Sequence, residues 1–276
     1  MSWAGGRSMA ALGRVSMCLV LPSYYASVNG LPDGSPKRNK HRLTRPRAAM
    51  LQKRIFKMDI QDAITTRQTK KVLADPAAPW EAAAPTTQAK VAELLELAGN
   101  APYHKPAHES YQSEPLTSLV PWRFHALDSQ NCRALLERIQ QAEIQSGKIA
   151  SMLAAADALV LTTWLPNPDT QPDAKPSEFQ QFAASLQNME HIAAASAAIQ
   201  NLLLLATANG WNNYWSSGGV LRSETLYDWL GISSNEVLLG AIFLFPAELR
   251  DAQVKTGAMR DRKGPVETWS RWVEVT

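Results

Sequence analysis

Three separated segments carry side chains that suit one kind of ligand. Segment 65–71, TTRQTKK, offers hydroxyls, an amide and three cations, which an anionic phosphate or an electron-rich ring carbonyl would attract. Segment 99–106, GNAPYHKP, offers amide and imidazole groups on a turn that proline makes rigid. Segment 214–219, YWSSGG, offers hydroxyls and backbone N–H groups beside an aromatic face. Each segment alone is a weak signal, but the ordered set indicates a binding site.

Other patterns that commonly mark catalytic sites are absent from the sequence. It contains no Gly-rich dinucleotide fingerprint, no phosphate loop ending in Lys-Ser or Lys-Thr, no nucleophile elbow and no His-Glu-x-x-His. His104 and His108 have a spacing that metal ligands can have, but Pro106 between them disfavours a helix and no third ligand is near in sequence. We therefore predict no metal site.

Charge divides the chain into two parts. Residues 1–57 contain eleven Lys or Arg and one acid, whereas residues 58–276 contain seventeen basic and twenty-four acidic residues. An acidic body argues against a nucleic-acid surface in that part of the chain. Because 45% of the 276 residues are hydrophobic, the chain can bury a core, as one large domain or two small ones.

The basic segment 1–57 allows several interpretations. Its apolar stretch, MAALGRVSMCLVLP, is interrupted by Arg14 and is too short to span a bilayer. The segment could be an Arg-rich transit peptide, a poor secretory signal, or an arm that docks on nucleic acid or lipid. We favour a disordered leader or translated sequence upstream of the true start, because Met50 and Met58 both precede the first periodic segment.

Cysteine usage bears on the compartment. Cys18 and Cys132 are the only cysteines, and one of them lies in the basic leader. Two such residues cannot build a disulfide framework or a cysteine metal site, which favours a reducing compartment. We predict a cytoplasmic protein.

Two helices are predicted at the start of the body. Asp59 is a candidate N-cap for the first, and Thr87 for the second, which Gly99 and Asn100 should end. The second helix has one apolar face with i, i+3, i+4, i+7 spacing: Val91, Leu94, Leu95 and Ala98.

Apolar runs predict the strands. WRFHAL at 122–127 alternates like a half-buried strand, and ALVLTTW at 158–164 is typical of a fully buried one. An amphipathic helix at 129–146 should separate them, and VLLGAIFLF at 237–245 predicts a further buried strand. Strands separated by helices indicate an α+β or three-layer architecture.

Three weaker features lie between these elements. Residues 165–179 contain four prolines and indicate an irregular surface excursion. Residues 208–219, ANGWNNYWSSGG, are predicted to form a turn rich in flat rings and small donors. A short helix at 223–231 and a capping box from Ser233 to Glu236 should follow.

The most informative helix is predicted at 189–209. Apolar side chains surround nearly its whole circumference, with Ser196, Gln200 and Asn201 as the polar residues in its middle. Such a helix needs neighbours on every side. Its length and polar interruptions argue against a membrane span. Since a chain of this size can hardly surround it alone, we expect a second subunit to cover part of it.

The residues of these segments, and the order in which they follow one another, resemble those of the nitroreductase family of FMN-dependent oxidoreductases. The resemblance runs from about Met58 to the C-terminus through ITTRQTKK, LLELAGNAPYHK, PWRFHAL, AADALVLTT, AAIQNLLLLATANGW, YWSSG, LLGAIFLF and RDRKGP. It is nearest in spelling to the small single-domain members, whose matching stretches read like RAPDHK and WRSG. It implies a three-layer α/β/α sandwich with a central, mostly antiparallel sheet and a long buried helix at a homodimer interface.

The resemblance also implies three groups of FMN contacts. The first group holds the phosphate and ribityl chain, the second contacts the cofactor from the other subunit, and the third cradles the flavin. In that order the residues are Thr66, Arg67 and Gln68; Asn100 and His104; and Trp215, Ser216 and Ser217. No side chain need act as acid or base, so we predict no catalytic residue.

Two of these positions depart from the family pattern. The family often has Arg-Arg-Ser where this chain has Thr66, Arg67 and Gln68, so one cation and one hydroxyl are missing. Arg262 or Lys263 could supply the lost charge, since both match a late basic motif of the family. Lys70 is a plausible neighbour of the flavin N1 and C2 carbonyl, where positive charge stabilises the reduced ring. We expect weaker FMN retention.

The implied activity is hydride transfer from NAD(P)H through bound FMN to a small-molecule acceptor, nitroaromatic or quinone-like, with ping-pong kinetics. A homodimer is expected, without nucleic-acid or membrane partners. The altered positions also allow a non-catalytic FMN-binding or flavin-sequestering module. A third hypothesis is an interaction protein that docks through its basic leader.

Overall fold

The computed structural model of the chain describes residues 58–113, 115–170 and 182–275, which contain six α-helices and six strands. The helices are α1 Ile60–Thr66, α2 Thr86–Ala98, α3 Ser129–Gln141, α4 Lys148–Ala155, α5 Leu186–Ala208 and α6 Glu224–Leu230. The strands are β1 Lys70–Leu73, β2 Trp122–Asp128, β3 Ala158–Trp164, β4 Asn212–Ser216, β5 Val237–Phe245 and β6 Gln253–Thr256. The predictions for 1–57, and for 171–179 of the surface excursion, lie outside the described residues.

Four strands form an antiparallel sheet in the spatial order β2, β3, β5, β4. Strands β1 and β6 pair with each other, and a parallel bridge from Thr69 to Asn213 joins this ribbon to β4. The register sets Trp122 opposite Trp164 at one edge and Trp215 opposite Ile242 at the other. The residues that follow α1 therefore run beside β4, which fixes where the first predicted binding segment lies.

Helices cover both faces of this sheet. α3, α4 and α6 pack on the face that carries Leu161 and Phe243, whereas α2 and α5 pack on the face that carries Val160 and Ile242. Successive side chains of a strand point to opposite faces, so a strand between two helical layers is apolar throughout. β3 is buried along its whole length, as predicted. The α+β, three-layer architecture is confirmed.

α5 is the long apolar helix predicted from the sequence, and it begins three residues earlier than expected. Ser185 caps it by accepting a hydrogen bond from the Asn188 backbone N–H, and nine of its side chains are buried. By length and hydropathy alone it could cross a membrane, but it packs against α2 and the sheet. Its buried alanines Ala194, Ala195 and Ala198 allow close approach of Trp122 and Trp164.

The predicted ends of the other helices were partly correct. Asp59 does cap α1, since its carboxylate accepts from the Asp62 backbone N–H at 2.8 Å. The predicted cap at Thr87 is wrong, because α2 begins at Thr86 after Pro85, with no side-chain cap bond. The predicted helix at 129–146 ends at Gln141, since Glu143 adopts a positive φ of 53°.

Two predicted features have a different conformation. The turn predicted at 208–219 contains strand β4, whose backbone groups pair with β5, and the chain turns before this strand, at Asn209 and Gly210, and again after Ser216. The predicted capping box from Ser233 to Glu236 begins no helix, because the chain makes a single turn there and enters β5 at Val237. Glu236 instead is buried against the sheet.

Candidate functional site

The first predicted binding segment lies at the C-terminal end of α1. Thr66 is exposed, and its hydroxyl donates within the helix to the Asp62 carbonyl at 2.6 Å. Gln68 is exposed and Arg67 is partly buried. The side chains left to meet an anion at this position are therefore those of Arg67 and Gln68.

Arg260, from the C-terminal part of the chain, joins this segment. Its guanidinium donates to the Thr65 carbonyl at 2.6 Å and to the Arg67 carbonyl at 2.7 Å. Carbonyls at a helix C-terminus lack partners within the helix, and a cation there also complements the helix dipole. Arg260, from the late basic run, thus brings a cation to this segment, while the expectation for Arg262 or Lys263 stays a prediction.

The two arginines lie close enough to affect each other. Burial, and then the charge of Arg260, lowers the pKa of Arg67 below its ordinary value. An anion between them would remove this repulsion and offset the cost of burial. Among the described residues, neither guanidinium forms a salt bridge to a carboxylate. The pair can therefore accept a phosphate with charge-assisted hydrogen bonds.

Strand β4 lies beside this cationic end. The Thr69–Asn213 bridge sets the start of β1 next to it, and Lys71 Nζ lies 4.5 Å from the centre of the Tyr214 ring. Lys70 is the first residue of β1 and is partly exposed. A lysine at this position can supply positive charge at the edge of a ring bound along β4.

Trp215 forms a flat surface on the sheet. A Cβ on Gly240 would lie 2.0 Å from Trp215 Nε1, so the indole occupies the space that any other residue would fill. The hydroxyl of Thr162, directly across from Gly240 on β3, is buried with no hydrogen-bond partner among the described residues. About a third of Trp215 remains exposed. An aromatic surface thus lies beside an unused polar atom.

The turn after β4 offers small groups. Ser216 is buried, and its hydroxyl accepts from the Gly218 backbone N–H at 3.2 Å. Ser217 is exposed, and its carbonyl accepts from Arg222. Gly218 adopts a φ of 106°, which L side chains rarely tolerate. This turn can approach a ligand closely through backbone and hydroxyl groups.

Asn100 and His104 lie in a different part of the fold. Asn100 caps α2 by donating to the Glu96 and Leu97 carbonyls at 3.3 and 3.1 Å. His104 is exposed in the turn that follows, where the ring of Tyr103 meets Trp122 edge-on at 5.8 Å. Trp122 belongs to β2, and three strand spacings, about 14 Å, separate β2 from β4. The structure therefore brings together the first and third predicted groups, while the second lies over the opposite edge.

The described part of the chain contains no group of three His, Cys, Asp or Glu side chains able to hold a metal ion. Of the two histidines with ligand-like spacing, His108 bonds Ser110, and its Nε2 lies 3.8 Å from Asp169.

Known proteins resemble the chain in sequence and in fold. The profile of the nitroreductase family matches residues 82–244, which is more than half of the chain. No curated protein sequence matches it. A nitroreductase-like family protein from Bacillus cereus has a TM-score of 0.50 and 19% identity, with 79% of this chain and 97% of that chain covered.

A candidate NAD(P)H:FMN oxidoreductase from Staphylococcus epidermidis also has a TM-score of 0.50, with 15% identity over 78% of this chain and 96% of that one. At such identities the structural likeness shows the fold alone. The family assignment rests on the match between the sequence and the family profile.

Proposed function

Because the chain belongs to the nitroreductase family, we propose that it binds FMN and transfers hydride from NAD(P)H to a small-molecule acceptor. The observation that carries this proposal is the pairing of Arg67 and Arg260 at the end of α1, next to the aromatic surface of Trp215. The two cations suit the phosphate of FMN, and the aromatic surface suits its planar ring.

The proposed cofactor contacts follow from the chemistry of the site. Arg67 and Arg260 would hold the phosphate, with Thr66 and Gln68 beside it. Trp215, Ser216 and Ser217 would line the ring, and Lys70 would set positive charge at its edge. When bound, FMN supplies the ability to accept and donate hydride. The protein's residues bind and orient, and none needs to gain or lose a proton.

A homodimer is part of the proposal. Asn100 and His104 lie over β2, far from Trp215, so they would meet the same ligand only if a second chain supplied them. Exposed apolar side chains on α1 and at the start of α5 support this arrangement, because each is more than half exposed: Ile60, Ile64, Leu186 and Met189. Exposed apolar surface of this kind is typical of an interface.

The C-terminal tail supports the same assembly. Trp269 and Trp272 are exposed, the latter completely, in a segment that follows Arg260. Exposed tryptophans on a monomer are costly in water, and association would bury them. We propose that two copies of the chain together complete two sites.

The acceptor proposed is a planar, electron-poor molecule such as a nitroaromatic or a quinone. The exposed part of Trp215 offers a surface for such a ring. NAD(P)H and acceptor would use one site in turn, which gives ping-pong kinetics.

We further propose that residues 58–276 form the binding domain and that residues 1–57 are a leader. A cytoplasmic location agrees with the free thiol of Cys132.

A second candidate function is FMN binding without turnover. Thr66 and Gln68 favour it, because the Thr66 hydroxyl bonds its own helix and one expected cation is absent. A site with fewer phosphate contacts could still retain FMN through Arg67 and Arg260. The two functions differ in whether pyridine nucleotide reduces the bound flavin.

The experiment is an anaerobic titration of the FMN-loaded full chain with NADH and, separately, NADPH. Loss of the visible flavin absorbance, followed by its return on addition of a quinone or nitroaromatic, is the expected result. Flavin that stays oxidised with both nucleotides would instead support the non-catalytic module. Parallel lines in double-reciprocal plots at several acceptor concentrations would test the ping-pong scheme.

A further inference from the structure

A polar cavity lies on the face of the sheet opposite to Trp215. It has a volume of about 530 Å³, is open to solvent on one side and is lined by residues of β2, α3 and α6. His125, Asn131 and Arg138 contribute polar groups, and Leu135, Trp229 and Leu230 contribute apolar walls. Its size is within the usual range for small-molecule sites. The proposed flavin site uses none of these residues.

His125 is held rigidly at one wall of this cavity. Its Nε2 lies 2.8 Å from Glu236 Oε2, and both side chains are largely buried. Thr163 also donates to the same Glu236 oxygen. Nδ1 of His125 has no hydrogen-bond partner among the described residues. A fixed ring with one unused nitrogen is thus available to a ligand.

The carboxylate that holds His125 belongs to a larger buried network. Burial, and then the negative charge of Glu236, raises the pKa of Tyr111 to about 12. The Tyr111 hydroxyl donates to the Asn235 carbonyl at 3.0 Å, and the Arg123 guanidinium donates to the Tyr111 carbonyl at 2.8 Å. The Glu236 carboxylate itself is bonded by both Thr163 and His125, so His125 does not depend on a ligand for its orientation.

Arg138 provides the charge of the cavity. Its guanidinium lies over the Trp229 ring, 4.2 Å from the ring centre, and the N–H groups have no hydrogen-bond partner among the described residues. Within the described ranges, Arg138 forms no salt bridge. Among the described residues that line the cavity, Arg138 is the one side chain with a permanent charge.

From this geometry we propose that the cavity binds a planar aromatic carboxylate, with the carboxylate on Arg138 and the ring between Trp229 and Leu135. Arg138 suits a carboxylate because its planar fork can donate two parallel hydrogen bonds. The aromatic and leucine walls suit a ring, and His125 Nδ1 supplies one further hydrogen-bonding atom. An inorganic anion would leave the apolar walls in contact with water.

The test uses 2-naphthoate as the probe and its uncharged analogue 2-naphthamide as the matched ligand. Binding to the full chain is measured by calorimetry, and its location by the NMR signal of the Trp229 indole N–H, assigned with Trp229→Phe. We expect one naphthoate per chain, a shifted Trp229 signal, and affinity at least about tenfold weaker for the amide, since a charge-assisted contact is lost.

Arg138→Gln should weaken naphthoate binding by about the same factor, and Arg138→Lys by less, because lysine keeps the charge but not the fork. Arg271→Gln removes an equal charge from the exposed tail and should leave the affinity unchanged. Equal binding of naphthoate and naphthamide, unchanged affinity in Arg138→Gln, or an unmoved Trp229 signal would overturn the proposal. None of these measurements requires bound FMN, so the proposal stands or fails separately from the redox function.

Discussion

At the scale of single residues, Arg67 and Arg260 distinguish this site most clearly. Arg67 is an expected phosphate contact, and Arg260 is the second contact that we propose. The sequence did not single out Arg260, because it offers three cations in one short run and no way to choose among them. The choice depends on a long-range contact with the end of α1, 193 residues away along the chain. We expect Arg260→Gln to weaken FMN binding about tenfold or more, by loss of a charged contact. Quenching of flavin fluorescence measures the affinity, with Lys90→Gln, which removes an exposed cation from α2, as the control.

Also at this scale, Cys132 contributes a pH-dependent term to stability. Burial raises the pKa of its thiol to about 12. A group whose pKa is higher in the folded state stabilises the fold below its unfolded pKa, and that contribution is lost as pH rises. The melting temperature of the wild type should therefore fall more than that of Cys132→Ala between about pH 8 and about pH 10.5. The cavity left by alanine lowers stability by the same amount at both pH values, so it does not affect the comparison. An equal fall of the melting temperature in the two proteins would contradict this explanation.

At the scale of elements, the sequence predicted best those segments whose apolar pattern is compatible with only one kind of secondary structure. β3, β5 and α5 are long apolar runs, and all three were located within a few residues. β4 was missed because its asparagines, aromatics and serines are typical of a turn, and only pairing with β5 makes it a strand. Glu236 satisfied a capping pattern, but burial against His125 and Thr163 decided its position. Tertiary contacts determine the conformation of both β4 and Glu236, and the local sequence carries no information about such contacts.

The contact between β4 and β5 gives a prediction at this scale. Gly240→Ala should displace the Trp215 indole, because the added Cβ would lie 2.0 Å from Nε1. Since Trp215 is partly exposed, it can move outward, so we expect weaker FMN binding with a modest loss of stability, about 1–3 kcal/mol. In a Trp215→Ala background the same glycine substitution should cost much less, because the clash is gone. Additive effects on the free energy of unfolding in the double variant would show that the two residues do not interact.

For the whole molecule, the sequence indicated the fold class through strands separated by helices. It indicated a second subunit through one apolar helix that needs more neighbours than its own chain offers. The structure confirms that α5 is buried on the sheet side and leaves Leu186 and Met189 exposed. The expected separation of Asn100 and His104 from the other contacts is consistent with their predicted role across a dimer. The contacts between subunits could not be derived from sequence, since they depend on how two folded surfaces fit.

The central claim is that two copies of this chain hold FMN between them. Sedimentation velocity of the FMN-loaded protein, recorded in the visible flavin band, tests it most directly because only flavin-bearing species are detected. We predict one boundary at the mass of the dimer. Flavin absorbance that sediments as the free cofactor, or with a monomer, would contradict the account.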